Sequence, residues 1–220
     1  MGEVISGEQR QVGIPIGAIK LEGALAVPAG AKGVVLFAHG SGSGRLSPRN
    51  KFVAQSLQER RLATLLIDLL TEQEESADAI TGGRLRFDIG LLSARLVAAT
   101  DWLAQDPATQ SLSLGYFGAS TGAAAALGAA AERPDSVRAI VSRGGRPDLA
   151  GAALSRVRAP TLLIVGGADH TVIRLNRDAM LRIRAEKKLE IVPGATHLFE
   201  EPGALEDVAH LASDWLEKYL

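Results

Sequence analysis

The feature that most restricts the fold is an alternation of short apolar runs with longer segments of helical periodicity. Several of these runs are apolar at every position, as is typical of strands inside a parallel sheet. The predicted strands are 34–38, 62–67, 112–117, 137–142, 161–165 and 189–192. Such alternation implies right-handed crossovers and a mostly parallel sheet with helices on both faces. The predicted fold class is therefore α/β.

The first 27 residues depart from this pattern. Val12, Ile14 and Ile16 alternate with polar or small residues, and a second strand is predicted over 21–27, so an antiparallel hairpin opens the chain. The acidic stretch 71–88 is predicted to be a solvated loop with room for a short helix. Residues 143–160 separate two predicted strands and are too few for a substantial cap domain.

Composition limits the partners and cofactors that such a chain can have. The length of 220 residues agrees with a single domain over 1–220. Lys and Arg total 24 against 25 for Asp and Glu, so no global field favours nucleic acid or anionic lipid. Cysteine is absent, and the four histidines show no spacing typical of metal ligands. No metal or other cofactor is expected.

Neither a secretory signal nor a membrane span is visible in the sequence. Residues 1–10 are polar and lack a basic region followed by an apolar one. No apolar run approaches the roughly 18 residues that a transmembrane helix needs. The sequence predicts a cytoplasmic protein without membrane contact. It leaves open whether the chain forms a homodimer.

The motif with the clearest chemistry is GASTG at 118–122, a G-x-S-x-G centred on Ser120. It follows the predicted strand 112–117 and precedes the alanine-rich stretch 123–131, which is predicted to be a helix. A nucleophile elbow needs this strand–turn–helix context. The alternative is a glycine-rich turn with an incidental serine.

A serine nucleophile needs a base and a carboxylate that orients the base. His197 follows the last predicted strand and is the predicted base, whereas His210 falls in the C-terminal amphipathic helix. Asp169 follows the strand 161–165 and is the predicted acid, with Asp148 as the alternative. The order Ser120, Asp169, His197 is the order found in α/β-hydrolases.

Two backbone N–H groups are predicted to form an oxyanion hole. One belongs to Thr121, at the start of the helix after the elbow. The other is assigned to Ser41, within the glycine-rich stretch HGSGSG at 39–44. The alternative for this stretch is an anion nest that cradles phosphate, although it lacks the Gly-Lys-Ser/Thr ending of a P-loop.

With these motifs, the sequence resembles an α/β-hydrolase of the dienelactone-hydrolase-like group over nearly its whole length. The resemblance is carried by FAHGSGSG at 37–44, GASTG at 118–122, GGAD at 166–169 and GATHLF at 194–199. Two further stretches, SPRN at 47–50 and SRGGRPD at 142–148, resemble a subgroup that also occurs fused to phosphoribosyltransferase-like domains. The namesake enzymes use cysteine where this chain has Ser120, which favours esterase-like chemistry.

The predicted function is therefore hydrolysis of small, soluble carboxylic esters through an acyl-enzyme on Ser120. A thioesterase, an acyltransferase and a non-catalytic binding module are the alternatives. Arg45, Arg143 and Arg146, together with Arg49, follow strands at one edge of the sheet. They are candidates to converge on a carboxylate or phosphate of the substrate. The alternative is that they are solvated or paired with the acidic segment 72–78.

Overall fold

A computed structural model describes residues 9–220, which contain an eight-stranded sheet in the order β1-β2-β4-β3-β5-β6-β7-β8. The strands are β1 (Arg10–Ile16), β2 (Ile19–Ala26), β3 (Gly33–Ala38), β4 (Leu62–Ile67), β5 (Ser113–Ala119), β6 (Val137–Arg143), β7 (Thr161–Gly166) and β8 (Lys187–Val192). The helices are α1 (Pro48–Glu59), α2 (Glu72–Ile80), α3 (Ile89–Leu103), α4 (Thr121–Glu132), α5 (His170–Arg182) and α6 (Ala204–Tyr219).

Strand pairing confirms the predicted mixture of antiparallel and parallel strands. β1 pairs with β2, and β2 with β4, in antiparallel register. From β4 to β8 every neighbouring pair is parallel. Consequently the carboxyl ends of β3 and β5 to β8 lie at one edge of the sheet, where sites form in open α/β folds.

Helices cover both faces of the sheet because the interior strands are apolar on both sides. Leu36 points to the face covered by α3 and α4, and the adjacent Val35 points to the face covered by α1 and α6. Both side chains are fully buried. This two-sided burial explains why the strand sequences lack the polar alternation of a half-exposed sheet.

Local sequence signals fix where helix α1 begins and how closely helix α4 packs. Ser47 caps α1 by accepting a hydrogen bond from the Asn50 N–H, and Pro48 occupies the first helical position, as predicted. In α4 the alanines allow a close approach to α3. A Cβ added to Gly128 would lie 2.3 Å from Ser93 Oγ.

The acidic segment predicted as a loop with a short helix contains the complete helix α2. Thr71 and Glu74 form a capping box, in which each side chain accepts a hydrogen bond from the other residue's N–H. Glu74 also receives two hydrogen bonds from the buried Arg95 of α3. Arg95 further donates to the Leu69 carbonyl, so it ties α2 to the end of β4.

The Glu74–Arg95 pair predicts a specific pH dependence of stability. The Arg95 hydrogen bond, foremost, holds the pKa of Glu74 below its usual value. A carboxyl with a depressed folded pKa stabilises the fold above its unfolded pKa and loses that contribution as pH falls. Glu74→Gln should cost about 1–3 kcal/mol at pH 7, and the difference from wild type should narrow below about pH 4.3.

Urea unfolding of the wild type and Glu74→Gln from neutral to acid pH measures this difference. Glu72→Gln is the matched control, because Glu72 is exposed in the same first turn of α2. The control should track the wild type at pH 7. A gap between wild type and Glu74→Gln that stays constant down to pH 3 contradicts the prediction.

The connection between β6 and β7 is as short as the sequence implied. It contains only 3-10 turns within Pro147–Arg156, interrupted at Gly151, which has a φ of 54°. This connection therefore forms no cap domain over the carboxyl ends of the strands. Within residues 9–220, no helix has both the length and the apolar character needed to cross a bilayer.

Candidate active site

Ser120 lies on a sharp turn between β5 and α4. Its φ of 51° and ψ of −121° are strained for a residue with a side chain, at a cost of about 1–3 kcal/mol. Two hydrogen bonds hold the turn. The Ser120 N–H donates to the Arg143 carbonyl at 3.2 Å, and the Arg146 N–H donates to the Ser120 carbonyl at 3.1 Å.

The two flanking glycines are required by close backbone contacts. A Cβ at Gly118 would lie 2.5 Å from Ala123 Cα, and one at Gly122 would lie 2.2 Å from the Ala38 carbonyl oxygen. Neither distance is sterically allowed. The G-x-S-x-G pattern therefore has a physical cause: it lets α4 start directly against β5 and the end of β3.

Asp169 and His197 are joined by a hydrogen bond. His197 Nδ1 lies 2.8 Å from Asp169 Oδ2. The other carboxylate oxygen, Oδ1, caps α5 by accepting from the Val172 N–H at 3.3 Å. Because helix α5 fixes the carboxylate, Asp169 can hold the imidazole in one tautomer, with Nε2 unprotonated and turned away from the acid.

The structure brings Ser120 and His197 to the same turn. Gly144 follows Arg143, whose carbonyl accepts from the Ser120 N–H. A Cβ at Gly144 would lie 3.5 Å from His197 Cε1. Among residues 9–220, Ser120 Oγ has no hydrogen-bond partner, and Asp169 is the single side-chain partner of His197. In hydrolytic sites, the hydrogen bond between serine and histidine is often long or poorly aligned without substrate and tightens when substrate binds.

The alternative acid, Asp148, is engaged elsewhere. It accepts two hydrogen bonds from Arg146, at 2.9 and 2.8 Å. His210 lies exposed on α6, as its place in an amphipathic helix predicted.

The loop that carries His197 is fixed by contacts that sequence reasoning missed. The Thr196 N–H donates to Glu201 Oε2 at 3.0 Å. Hydrogen bonds from Thr196 hold the pKa of Glu201 below its usual value. Phe199 is buried with a φ of 56°, which is unusual for a bulky residue. These contacts limit the positions that the imidazole can take.

The predicted oxyanion residues lie beside Ser120. A Cβ at Gly40 would be 3.0 Å from Ser120 Cβ, so the glycine-rich loop passes directly over the elbow. Within residues 9–220, the N–H groups of Ser41 and Thr121 donate no hydrogen bond to the protein. Unused donors of this kind, one of them at a helix N-terminus, are what an oxyanion hole requires.

His39 has a role in this loop that the sequence did not reveal. Its Nε2 accepts from the Leu69 N–H at 2.9 Å, so the ring proton lies on Nδ1, which donates to the Gly40 carbonyl at 2.9 Å. The Gly40–Ser41 peptide is trans, so its N–H points away from that carbonyl. His39 therefore sets the direction of the Ser41 N–H.

A cavity of about 570 Å³ opens beside the two oxyanion residues. Its lining combines leucines with charged side chains. Besides the glycine-rich loop 39–44, it contains Arg45, Leu46, Asp68, Leu69, Leu70, Glu75, Arg86, Leu92 and Thr121. Because Thr121 and Ser41 line this cavity, a ligand in it could place a carbonyl oxygen at their N–H groups.

Comparison with known proteins identifies the family. The sequence model of the Dienelactone hydrolase family matches residues 21–220. The chain belongs to the dienelactone hydrolase family. A crystal structure of dienelactone hydrolase from Anabaena variabilis is 62% identical, with a TM-score of 0.95, and the match covers 97% of this chain and 98% of that one. Family membership and this neighbour establish a hydrolase of the α/β fold.

Two further comparisons concern a longer relative of this dienelactone hydrolase family member and a solved structure that shares its fold. A Mycobacterium tuberculosis protein that carries the name phosphoribosyl transferase is 55% identical over 210 residues, 96% of this chain and 46% of its own length. The chain thus spans about half the length of the curated relatives it matches. Est1E from Butyrivibrio proteoclasticus is 16% identical, with a TM-score of 0.79 over 94% of this chain and 98% of that one.

In this dienelactone hydrolase family member the predicted arginines do not form one cluster. Arg45 is paired with Asp68 rather than with the acidic segment 72–78, and Arg146 is paired with Asp148. Both charges are therefore already balanced. Arg143 differs, because it is buried and, among residues 9–220, has no hydrogen-bond or carboxylate partner.

No cluster suited to a metal ion occurs in the part of the chain that the structure describes. No three His, Asp or Glu side chains of residues 9–220 converge in a way that could hold one.

Proposed function

We propose that this chain is a serine hydrolase that cleaves small carboxylic esters through a covalent acyl-enzyme. The observation that carries the proposal is the strained Ser120 elbow at the same sheet edge as a hydrogen-bonded Asp169–His197 pair. Strain of this kind at a non-glycine residue is typical of functional sites. Ser120 is the nucleophile, His197 the base and Asp169 the orienting acid.

In the first step, Ser120 Oγ attacks the ester carbonyl carbon while its proton passes to His197 Nε2. Asp169 accepts from Nδ1–H throughout and stabilises the imidazolium that forms. The carbonyl oxygen becomes an oxyanion between the Ser41 and Thr121 N–H groups. When the tetrahedral intermediate collapses, the imidazolium returns the proton to the leaving alkoxide, and an alcohol departs.

In the second step, His197 Nε2 takes a proton from water, whose oxygen attacks the acyl carbon. The bond to Ser120 Oγ breaks, and the proton on His197 passes to that oxygen. The products are a carboxylic acid and the regenerated serine. Loss of a single oxyanion donor in sites of this type costs about 2.7–4 kcal/mol of barrier. The orientation that His39 gives to the Ser41 peptide therefore supports the rate as well as the fold.

The substrate is proposed to be small. The cavity of about 570 Å³ has room for a short acyl or alcohol group. The connection from β6 to β7 contains only 3-10 turns within Pro147–Arg156, so it forms no cap domain that could enclose a long chain. The leucines of the cavity favour an apolar substituent near the reacting carbonyl.

Other uses of the same residues are alternatives to ester hydrolysis. A thioesterase or an acyltransferase would form the same acyl-enzyme, and competition between water and added alcohol or thiol during deacylation distinguishes them. The name phosphoribosyl transferase given to the longer relatives fits the subgroup in which this fold is fused to a second domain. We assign any such activity to the half of those relatives that this chain does not match, since the chain covers 46% of their length.

A fluorophosphonate probe tests the proposal without a choice of substrate. Intact mass should increase by one adduct, and peptide mapping should place the adduct on Ser120, because only an activated serine reacts with this phosphorus centre. Ser120→Ala should remain unlabelled, and heat-unfolded wild type should also be unlabelled. A folded protein without an adduct would favour the non-catalytic binding module.

A further inference from the structure

The hydroxyl of Thr121 is a buried polar group that the protein itself leaves without a partner. Thr121 begins α4 directly after Ser120, and its exposure is 4%. Its Oγ1 is completely buried and, among residues 9–220, neither donates nor accepts a hydrogen bond. A buried hydroxyl left unsatisfied lowers the stability of a protein, so its presence in the fold requires an explanation.

The other buried threonines of residues 9–220 all have a partner for the hydroxyl. The partners are a glutamine amide, a tyrosine hydroxyl and two backbone carbonyls, and the threonines in that order are Thr64, Thr100, Thr109 and Thr161. A threonine that serves only the fold is therefore paired in this protein. Thr121 is the exception, which indicates that the partner of its hydroxyl comes from outside the chain.

The position of Thr121 in its helix explains why the hydroxyl has no local acceptor. Inside a helix, a threonine hydroxyl usually donates to the carbonyl three or four residues earlier. Thr121 is the first residue of α4, and the residues at those two positions, 117 and 118, belong to β5. Because no helical turn precedes Thr121, its hydroxyl stays available to a ligand.

Thr121 is also placed where negative charge would develop during ester cleavage. It lines the cavity of about 570 Å³ together with Gly40 and Ser41, and its N–H is one of the two proposed oxyanion donors. In two of the three staggered rotamers of a threonine, Oγ1 is gauche to the backbone nitrogen and lies about 3 Å from it. Two donors at that separation can share one acceptor oxygen.

We propose that the Thr121 hydroxyl is a third donor of the oxyanion hole, so that Thr121 gives two hydrogen bonds to the same oxygen. This inference rests on the proposed esterase function and adds a catalytic group to it. The carbonyl oxygen of the substrate is the partner that the hydroxyl lacks within the chain. As Ser120 Oγ attacks, that oxygen gains negative charge, and a hydrogen bond to a charged acceptor is stronger than one to a neutral acceptor. The hydroxyl therefore stabilises the transition state more than the bound substrate.

Single-turnover release of 4-nitrophenolate, with the protein in excess over 4-nitrophenyl acetate, tests this assignment. Valine has the shape of threonine without the hydroxyl, so Thr121→Val should lower the maximal acylation rate about 10- to 100-fold and leave the half-saturating concentration nearly unchanged. Thr121→Ser keeps the hydroxyl and should retain most of the wild-type rate. An unchanged rate in Thr121→Val, a change in the half-saturating concentration alone, or a Thr121→Ser protein as slow as Thr121→Val overturns the inference.

Urea unfolding gives a second readout, in which a structural role and a catalytic role have opposite signs. Thr121→Val replaces an unsatisfied hydroxyl by a methyl group, so its unfolding midpoint should equal or exceed that of the wild type. A lower midpoint would show that the hydroxyl has a partner within the fold, which overturns the inference.

Thr109→Val is the matched control for both measurements. Thr109 is buried, its hydroxyl donates to the Leu103 carbonyl at 2.8 Å, and it precedes β5, at the opposite end of that strand from Ser120. Thr109→Val should lower the unfolding midpoint, because the carbonyl loses its donor, and it should keep the wild-type acylation rate. If Thr121→Val does not fold, Thr121→Ala and Thr121→Ser give the same comparison of acylation rates.

A trifluoromethyl ketone distinguishes the oxyanion from the rest of the cavity. With 2,2,2-trifluoroacetophenone, Ser120 Oγ bonds to the carbonyl carbon, the π electrons move to the oxygen, and the Oγ proton passes to His197 Nε2. The inhibition constant should rise about 10- to 100-fold in Thr121→Val. Acetophenone, which forms no stable adduct, should inhibit both proteins equally. Equal inhibition of both proteins by the trifluoromethyl ketone overturns the inference.

Failure of the proposed function has a different signature from failure of this inference. Without a serine hydrolase activity, the wild type would give neither a fluorophosphonate adduct nor 4-nitrophenolate. If only the assignment of the Thr121 hydroxyl is wrong, the wild type and Thr121→Val give both products at the same rates.

Discussion

Replacing Ser120 by alanine is expected to lower kcat/KM for an activated ester by roughly 10⁴- to 10⁶-fold, without unfolding the protein. The oxygen that is removed makes no hydrogen bond within residues 9–220, and Ser120 is only half-buried, so its loss leaves no buried group unsatisfied. The strained backbone at this position persists with alanine. Melting temperature and far-UV circular dichroism should therefore stay near the wild-type values while turnover disappears.

Two controls make this prediction specific. Ser155→Ala removes an exposed hydroxyl that bonds only to the Ala152 carbonyl, and it should keep full activity. Asp169→Asn retains an oxygen that can accept from the Val172 N–H and so preserve the cap of α5. It should still lose about 10⁴-fold in kcat, because the amide favours the wrong imidazole tautomer. An active Ser120→Ala protein would rule out the proposed nucleophile.

Most of the framework could be predicted because it follows from local patterns. Apolar runs of strand length, separated by helical segments, determine an α/β sheet, and parallel strands bring their carboxyl ends to one edge. For this reason Ser120, Asp169 and His197 could be selected by their place after three strands. The capped start of α1 could also be predicted, since Ser47 and Pro48 are adjacent in sequence.

Pairings between residues distant in sequence could not be predicted. Arg45 and Asp68 are 23 positions apart, and His39 receives a hydrogen bond from Leu69 30 positions away. No periodicity in the sequence encodes either contact. The arginines consequently looked equivalent, whereas their charges are balanced in Arg45 and Arg146 and unbalanced in Arg143. Only the arrangement of neighbouring carboxylates separates these cases.

The elbow glycines connect the fold to the proposed chemistry, and Gly122→Ala is expected to damage both. The new Cβ would lie 2.2 Å from the Ala38 carbonyl oxygen and 2.4 Å from that of His39. Both neighbours are backbone atoms of β3 and its following loop, so no side chain can move aside. Either α4 or the end of β3 must shift, at a cost of about 3 kcal/mol or more in unfolding free energy.

The same shift would separate the two N–H groups proposed for the oxyanion, because Thr121 begins α4 and Ser41 follows His39. Any Gly122→Ala protein that folds should therefore react with the fluorophosphonate probe at least tenfold more slowly, although Ser120, His197 and Asp169 are all present.

Gly90→Ala is the matched control. It lies exposed in α3, its added Cβ meets only Asp88 Oδ1 at 3.3 Å, and helix propensity favours alanine by about 0.5–1 kcal/mol. Urea unfolding compares the midpoints of Gly122→Ala and Gly90→Ala, and the midpoint of Gly122→Ala should be lower. Equal midpoints would show that α4 tolerates a methyl group against β3 and that the close approach at the elbow is not needed.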